Sequence, residues 1–323
     1  MENDKTNLTE NASVDFDQAI KKNKRQKHII ILLLSLLILL AALLASIIYI
    51  NYDYLVFKTI MTKGYLYEDS VQNIIDEELE QNGSDIDVYF DDAVINIFMN
   101  RLHEENGDRY SHLYLPSQYT AKITNEKEIG NSCQWFQFTE NSAYLSITNF
   151  TDESAEFVLA NAEEISQYSC LILDLRSNPG GYISAATAIA DMFLDKGDII
   201  SKETSEMSFL SRTNISENDP IFDFDKIIIL QDGNTASSSE ILIGALHDNL
   251  DNVVLLGETT YGKGIGQNTV PLKNGFYFIA TMFSWETPNG HAIHGEGIEP
   301  DKEFTVDTLA EELGILSENQ NTE

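Results

Sequence analysis

Polar and apolar positions change rhythm along the chain. Residues 1–28 are almost wholly polar, and the expectation there is a segment without fixed structure. Residues 29–50 are then apolar except for Ser35, Ser46 and Tyr49. From Asn51 to about Leu115 apolar residues return at helical spacing, first in a helix from Ser70 to Leu79 and again from Asp91 to Leu102. Asn82-Gly83-Ser84 marks the break between the two, and Gly107-Asp108-Arg109-Tyr110-Ser111 closes the segment as a turn. From about Ser132 the rhythm becomes that of an α/β domain. Strands are predicted at 143–148, 170–175, 226–230 and 253–257, the last three as continuous apolar runs suited to a buried sheet. Helices are predicted between them at 183–193 and 237–249, and residues 275–280 read as a hairpin arm after Asn274-Gly275. Strands alternating with helices imply a mainly parallel sheet whose βα loops gather at one edge, where ligands bind. The acidic end after about Leu309 frays.

The apolar run at 29–50 would reach ~33 Å as a helix, enough to span a hydrocarbon core. Lys21, Lys22, Lys24, Arg25 and Lys27 lie just before it, which places that end in the cytoplasm and everything from Asn51 outside. A cleaved signal sequence is the competing reading. Its apolar region is ordinarily shorter and ends at small residues, whereas this run exits through Tyr49 and Ile50. No cysteine stands at its exit, so a lipoprotein has no support. The expected organisation is a cytoplasmic tail (1–28), an anchor (29–50), a helical segment (51–120), a core (121–310) and an acidic tail (311–323).

The chain carries 20 Lys+Arg against 52 Asp+Glu, a formal net charge of -32, and all of the acidic excess lies beyond residue 28. Such a surface disfavours nucleic acid and anionic lipid. Cys133 and Cys170 are the only cysteines; whether they pair stays open, because spacing does not supply their separation.

Three loops could carry chemistry. In Asn234-Thr235-Ala236-Ser237-Ser238-Ser239-Glu240, Ser237 and Glu240 have the spacing of a capping box. A serine at a helix start after a buried strand is also held rigidly beside free N–H groups that favour an oxyanion. In the glycine-rich stretch 257–267, Lys263 is either a solvated lysine or a general base whose amine burial keeps neutral. It is not a phosphate loop, since no Ser or Thr follows the lysine. In Asp174-Leu175-Arg176-Ser177-Asn178-Pro179-Gly180-Gly181 a buried strand ends in a tight turn with an Asp174–Arg176 pair. Its two glycines can point an N–H into a site. His291, His294 and Glu296 could be metal ligands, but hairpin residues are the preferred reading.

Together these segments resemble the carboxy-terminal processing, or tail-specific, serine peptidases. That family's D-L-R-x-N-P-G-G strand end is matched by 174–181, followed by the small-residue helix at 185–191. Its S-A-S-x-S-E-I motif is matched by 235–241, its G-E-x-T-[FY]-G-K-G-x-x-Q motif by 257–267, and its T-P-x-G-x-x-I-x-G-x-G-I-x-P-D segment by 287–301. The turn at 107–111 resembles its G-D-x-Y-S segment. The resemblance implies an α/β core of the ClpP/crotonase-like type and an endopeptidase acting on protein or peptide substrates through an acyl-enzyme. Ser237 would be the nucleophile, Lys263 the base and Gln267 its orienter. The N–H of Ser238 with that of Gly180 or Gly181 would form the oxyanion hole, Gly180 being preferred. Asp248 would be structural, no cofactor is implied, and relatives' helical parts suggest a homodimer. The spacing from Lys263 would select Ser238 as nucleophile. Alignment from Glu240, inside the helix start, selects Ser237 and is preferred, since loops accept insertions more readily. The PDZ domain usual in the family has no room between Pro116 and Ala143. The alternative to a peptidase is a weakly active or inactive binding or signalling module on the same fold.

Overall fold

Gly and Pro are absent from the first 50 residues, so nothing there interrupts a helix. In the computed structural model α1 (Glu2–Ile50) is accordingly a single helix. The polar stretch expected to lack structure is helical from Glu2. A helix nucleated in the apolar run extends at little cost through a segment without breakers. The structure describes residues 2–67, 71, 73, 92–128, 133–273 and 275–315. The expected helix from Ser70 (Val71 and Asn73 apart), the break at Asn82-Gly83-Ser84, Asn274 and the tail beyond residue 315 lie outside the described residues.

The chain divides into two units, residues 1–56 and 57–323. In the first, residues 23–50 form a helix long and apolar enough to cross a membrane. Its large apolar side chains from Ile29 to Ile50 are all exposed. The two serine hydroxyls in the run turn back onto the helix, Ser35 Oγ to the Leu32 carbonyl at 2.8 Å and Ser46 Oγ to the Ala42 carbonyl at 2.9 Å. Neither serine hydroxyl therefore needs water. The α2 helix (Tyr52–Lys63) follows.

In the second unit α3 (Asp92–Asn106) leads through the Gly107–Ser111 turn into a short strand, β1 (His112–Tyr114). The sequence rhythm suggested helix up to Leu115. Instead β1 pairs antiparallel with β10 (Tyr277–Glu286), a partner more than 160 residues away that no local pattern reveals. Between Pro116 and Ala143 the described residues form the α4 helix (Pro116–Glu128) and the edge strand β2 (Cys133–Gln137), with no further domain.

The core is a five-stranded sheet in the order β2-β3-β4-β7-β8, where β3 is Ser142–Ile147, β4 Cys170–Asp174, β7 Lys226–Gln231 and β8 Val253–Gly257. All pairs are parallel except the β2–β3 edge. One row across it, Leu145, Leu173, Ile229 and Leu255, is in register and fully buried beneath α5 (Asp152–Ala160), α6 (Ala162–Ile165), α7 (Ile183–Ala190) and α8 (Ser238–Asn249). The neighbouring positions Ile172, Ile228, Leu230 and Leu256 face the other way, against Phe304 and Leu309 and Leu313 of the α9 segment (helix Val306–Glu312). Both faces being covered explains why these strands read as unbroken apolar runs. A second, antiparallel sheet has the order β1-β10-β5-β6, with β5 at Ile199–Thr204, β6 at Arg212–Ile215, and β9 (Ile265–Pro271) also paired to β10. The β9–β10 hairpin agrees with the predicted arm after Gly275.

Cys133 and Cys170 are free thiols. Cys133 pairs opposite Ile147 and Cys170 opposite Ser142, so they sit at opposite ends of β3, out of disulfide reach.

Candidate active site

Parallel strands β4, β7 and β8 all run the same way, so the loops leaving their C-terminal ends meet at one edge. Asn178 ties the first two together. Its side chain donates to the Ile147 carbonyl at 2.8 Å, and its own carbonyl accepts from the Ala236 N–H and from Ser239 Oγ. Asp232 takes the N–H and hydroxyl of Ser177 at 2.9 and 3.1 Å. The predicted Asp174–Arg176 pair is present and bidentate.

Ser237 precedes α8 with φ 57° and ψ −117°, a conformation that a residue with a Cβ rarely adopts. It is half-buried and lines a cavity of about 570 Å³ together with Gly181, Lys263 and Gln267. Ser238, the nucleophile that the spacing from Lys263 selects, is fully buried, and its hydroxyl donates to the Gly181 carbonyl at 2.9 Å.

Glu240 does more than complete a cap. Its carboxylate accepts the Ser237 N–H at 2.6 Å, the Gly262 N–H at 2.7 Å, the Lys263 N–H at 2.9 Å and the Thr260 hydroxyl at 2.6 Å. It thereby clamps the serine loop to the lysine loop. Burial pushes its carboxyl upward and the four donors oppose that shift. Since every contact is a donor, the acceptor-only carboxylate is the form this geometry requires. The lysine loop also lies hard against residues 293–297: a Cβ at Gly264 would come within 2.6 Å of the His294 N, and one at Gly262 within 2.8 Å of the Gly297 N. His294 thus enters the site as backbone. Asp248 holds the 287–289 turn by accepting from Thr287 Oγ1 at 2.6 Å and the Asn289 N–H at 2.9 Å.

Lys263 Nζ donates to Gln267 Oε1 at 3.2 Å and lies 4.4 Å from the centre of the Tyr110 ring. Burial pushes its amine below the ordinary lysine value, helped by Lys122 and opposed by the Asp108 and Glu240 carboxylates. Such a shift increases the neutral, basic fraction near neutral pH.

The glycine pair differs from the expectation in one respect. The Gly180 N–H already donates to Asn178 Oδ1 at 2.9 Å, which leaves the Gly181 N–H as the one of the pair open to an incoming acceptor. The N–H groups of Gly181 and Ser238 have no intramolecular acceptor among the described residues. Gly180 instead provides close approach, since a Cβ there would come within 2.8 Å of the Ser237 Cβ and 3.0 Å of the Ser238 N.

Tyr110, Asp108 and Thr281 were not singled out as functional in the sequence. Asp108 and Tyr110 sat in a segment read as a turn, and Thr281 is a lone polar residue in an apolar strand. All three belong to the surroundings of Lys263.

The model of "Peptidase family S41" matches residues 141–304, just over half of the chain, and the chain belongs to that family. It is similar to carboxyl-terminal-processing peptidase 1, chloroplastic, of Arabidopsis thaliana, at 39% identity over 133 residues, 41% of this chain and 27% of that protein. It is similar also to a probable CtpA-like serine protease of Staphylococcus aureus (strain N315), at 39% over 139 residues, 43% of this chain and 27% of that protein. The matched part thus spans only about a quarter of these relatives. Among solved structures, a lipoprotein from Streptococcus agalactiae aligns over 82% of this chain and 95% of its own with a TM-score of 0.62 at 16% identity, a likeness of fold.

Proposed function

We propose that this chain is a membrane-anchored serine endopeptidase in which Ser237 and Lys263 hydrolyse peptide bonds of proteins outside the cytoplasm. The observation that carries the reading is the shared cavity. Ser237, on its strained turn, lines the same space as a half-buried lysine of lowered pKa, beside two uncommitted N–H groups. Ser237 Oγ attacks the substrate carbonyl carbon as its proton passes to neutral Lys263. The oxyanion is held by the N–H groups of Gly181 and Ser238, with Gly180 shaping the hole. Lys263 then returns the proton to the leaving amine nitrogen, releasing it and leaving an acyl-enzyme. Water, deprotonated by Lys263, attacks the ester and frees Ser237. Gln267 keeps the amine directed.

The core would be of the ClpP/crotonase-like type, preceded by a helical segment that supports a homodimer. The helix at 23–50, with its exposed apolar surface and basic N-terminal flank, supports single-pass anchoring with the N-terminus cytoplasmic. Retention of the intact chain in alkaline-washed membranes would support the anchor; release of a shortened form would mean a cleaved signal sequence.

The activity is tested on the full chain in mild detergent, with casein as substrate and products read by mass spectrometry. Fragments should appear with wild type and Ser238→Ala and vanish with Ser237→Ala and Lys263→Ala. Loss in Ser238→Ala alone would move the nucleophile. No cleavage by wild type, even at mildly alkaline pH, would favour the binding module.

A further inference from the structure

The turn at 107–111 lies outside the 141–304 family match, yet it reaches the catalytic lysine. Asp108 is 1% exposed and its carboxylate is surrounded by donors. Oδ2 accepts from Tyr65 OH at 2.7 Å and Ser111 Oγ at 2.6 Å, while Oδ1 accepts from the Tyr110 N–H at 3.0 Å, the Ser111 N–H at 3.3 Å and Thr281 Oγ1 at 3.1 Å. Ser111 Oγ in turn accepts the Thr281 N–H at 2.9 Å. Beyond Thr281 the chain of bonds continues: Gln267 Nε2 lies 3.3 Å from Thr281 Oγ1, and Gln267 Oε1 is the acceptor for Lys263 Nζ.

The polarity of this chain has only one consistent direction. A hydroxyl has one proton to give. Asp108, as a carboxylate, can only accept, so the Thr281 proton points at it. The Thr281 oxygen then offers a lone pair to Gln267, which must meet it with its NH2 group. The amide carbonyl is thereby turned to Lys263. Held by one of its N–H bonds, a neutral lysine amine has its lone pair free to face Ser237.

We propose that Asp108 and Thr281 are positioning residues for the catalytic base, setting the orientation of Gln267 and through it the amine of Lys263. This inference rests on the Ser237–Lys263 reading above and extends it to a segment outside the matched peptidase core. Supporting it, burial opposes the charge on Asp108, yet its hydrogen bonds with Ser111, Tyr65, Tyr110 and Thr281 outweigh that and keep its carboxyl below the usual range. A carboxyl that stays ionised keeps the direction of the relay fixed.

The test uses the full chain in detergent, with dye-quenched casein for kcat and KM across pH. Thr281→Val keeps the shape and removes the hydroxyl; Thr281→Ser restores it. Asp108→Asn can donate as well as accept, so it lets the relay reverse. Thr281→Val and Asp108→Asn should lose kcat by about 10²-fold at the pH plateau, with little change in KM. Thr281→Ser should recover most of it.

Asp108→Asn carries a second signature. The charged groups that act on Lys263 are Asp108, Glu240 and Lys122. Removing the Asp108 charge lowers the pKa of the lysine, so the acid limb of the profile should move to lower pH while the plateau falls. A role confined to fold stability would not move that limb. Wild-type kcat in both variants, or Thr281→Ser no better than Thr281→Val, would overturn the positioning role. Should wild type itself not cleave, trace labelling of Lys263 by acetic anhydride, read by mass spectrometry, still decides. A lower labelling pH in Asp108→Asn supports the coupling even as the peptidase reading fails, whereas an unchanged titration in a folded variant refutes it.

Discussion

Ser237 offers a test in which two accounts differ in sign. As a plain helix cap, serine replaced by glycine would cost only a few tenths of a kcal/mol. At φ 57° and ψ −117°, however, its Cβ is held in a sparsely allowed conformation, costing of order 1–3 kcal/mol that glycine would release. Against this stands glycine's greater freedom in the unfolded chain, about 0.4–1 kcal/mol. Ser237→Gly should therefore stabilise the fold by roughly 0.5–1.5 kcal/mol. For a folded unit of this size that is a rise of a few degrees, at ~2–4 °C per kcal/mol. Ser237→Ala is the control: it keeps the Cβ, and with it the strain, and should gain nothing. Both variants should fail to cleave casein, so the gain is separated from activity. Thermal unfolding of the detergent-held chain by scanning calorimetry gives the numbers. A Ser237→Gly protein that melts at or below wild type would refute the strain argument and return Ser237 to an ordinary cap. Glu240, through the Ser237 N–H, and the closely approaching Gly180 are what hold the turn in place.

Two further outcomes follow from the same surroundings. Lys263 has a folded pKa below its unfolded value, so the native state binds fewer protons between the two, and stability rises with pH through that window, the penalty ending above about 10.5. Lys263→Met should accordingly be inactive yet more stable at pH 7, by about 0.5–2 kcal/mol, with the gain shrinking as pH climbs; a destabilised variant in urea titrations would contradict this. Gly181 has φ 143°, and a Cβ there would collide with the Phe150 carbonyl oxygen. Gly181→Ala should displace its N–H and lower kcat by about 10²–10³-fold, whereas near-normal turnover would remove Gly181 from the oxyanion hole.

What the sequence determined by itself was everything carried by local pattern. Apolar runs bounded by turn residues located β4, β7 and β8, because a strand covered on both faces must be apolar at successive positions. The uninterrupted 29–50 segment marked its helix, and the loops after buried strands offered Ser237, Lys263 and the Gly180-Gly181 pair as candidates, whose roles came from the resemblance to a peptidase family and not from local pattern. The spacing of Ser237 and Glu240 anticipated the N–H contact within that cap. The order in 2–28 was missed because composition speaks of solubility, while continuity with an adjoining helix decides whether a breaker-free segment joins it.

Tertiary structure alone decided who satisfies whom. A hydrogen-bond donor selects its acceptor by distance and direction after the chain has folded, and those partners lie far apart in sequence. Gly180 and Gly181 are equivalent as letters, but only the acceptance of the Gly180 N–H by Asn178 distinguishes them. Glu240 reads as a local cap until the fold brings Gly262 and Lys263 to the same carboxylate. Asp108 and Thr281 meet across 173 residues, through the β1–β10 pairing that sets the turn before β1 against β10. Sequence pattern records which face a residue turns inward; it does not record what awaits it there, and the environment of Lys263 is made of such encounters.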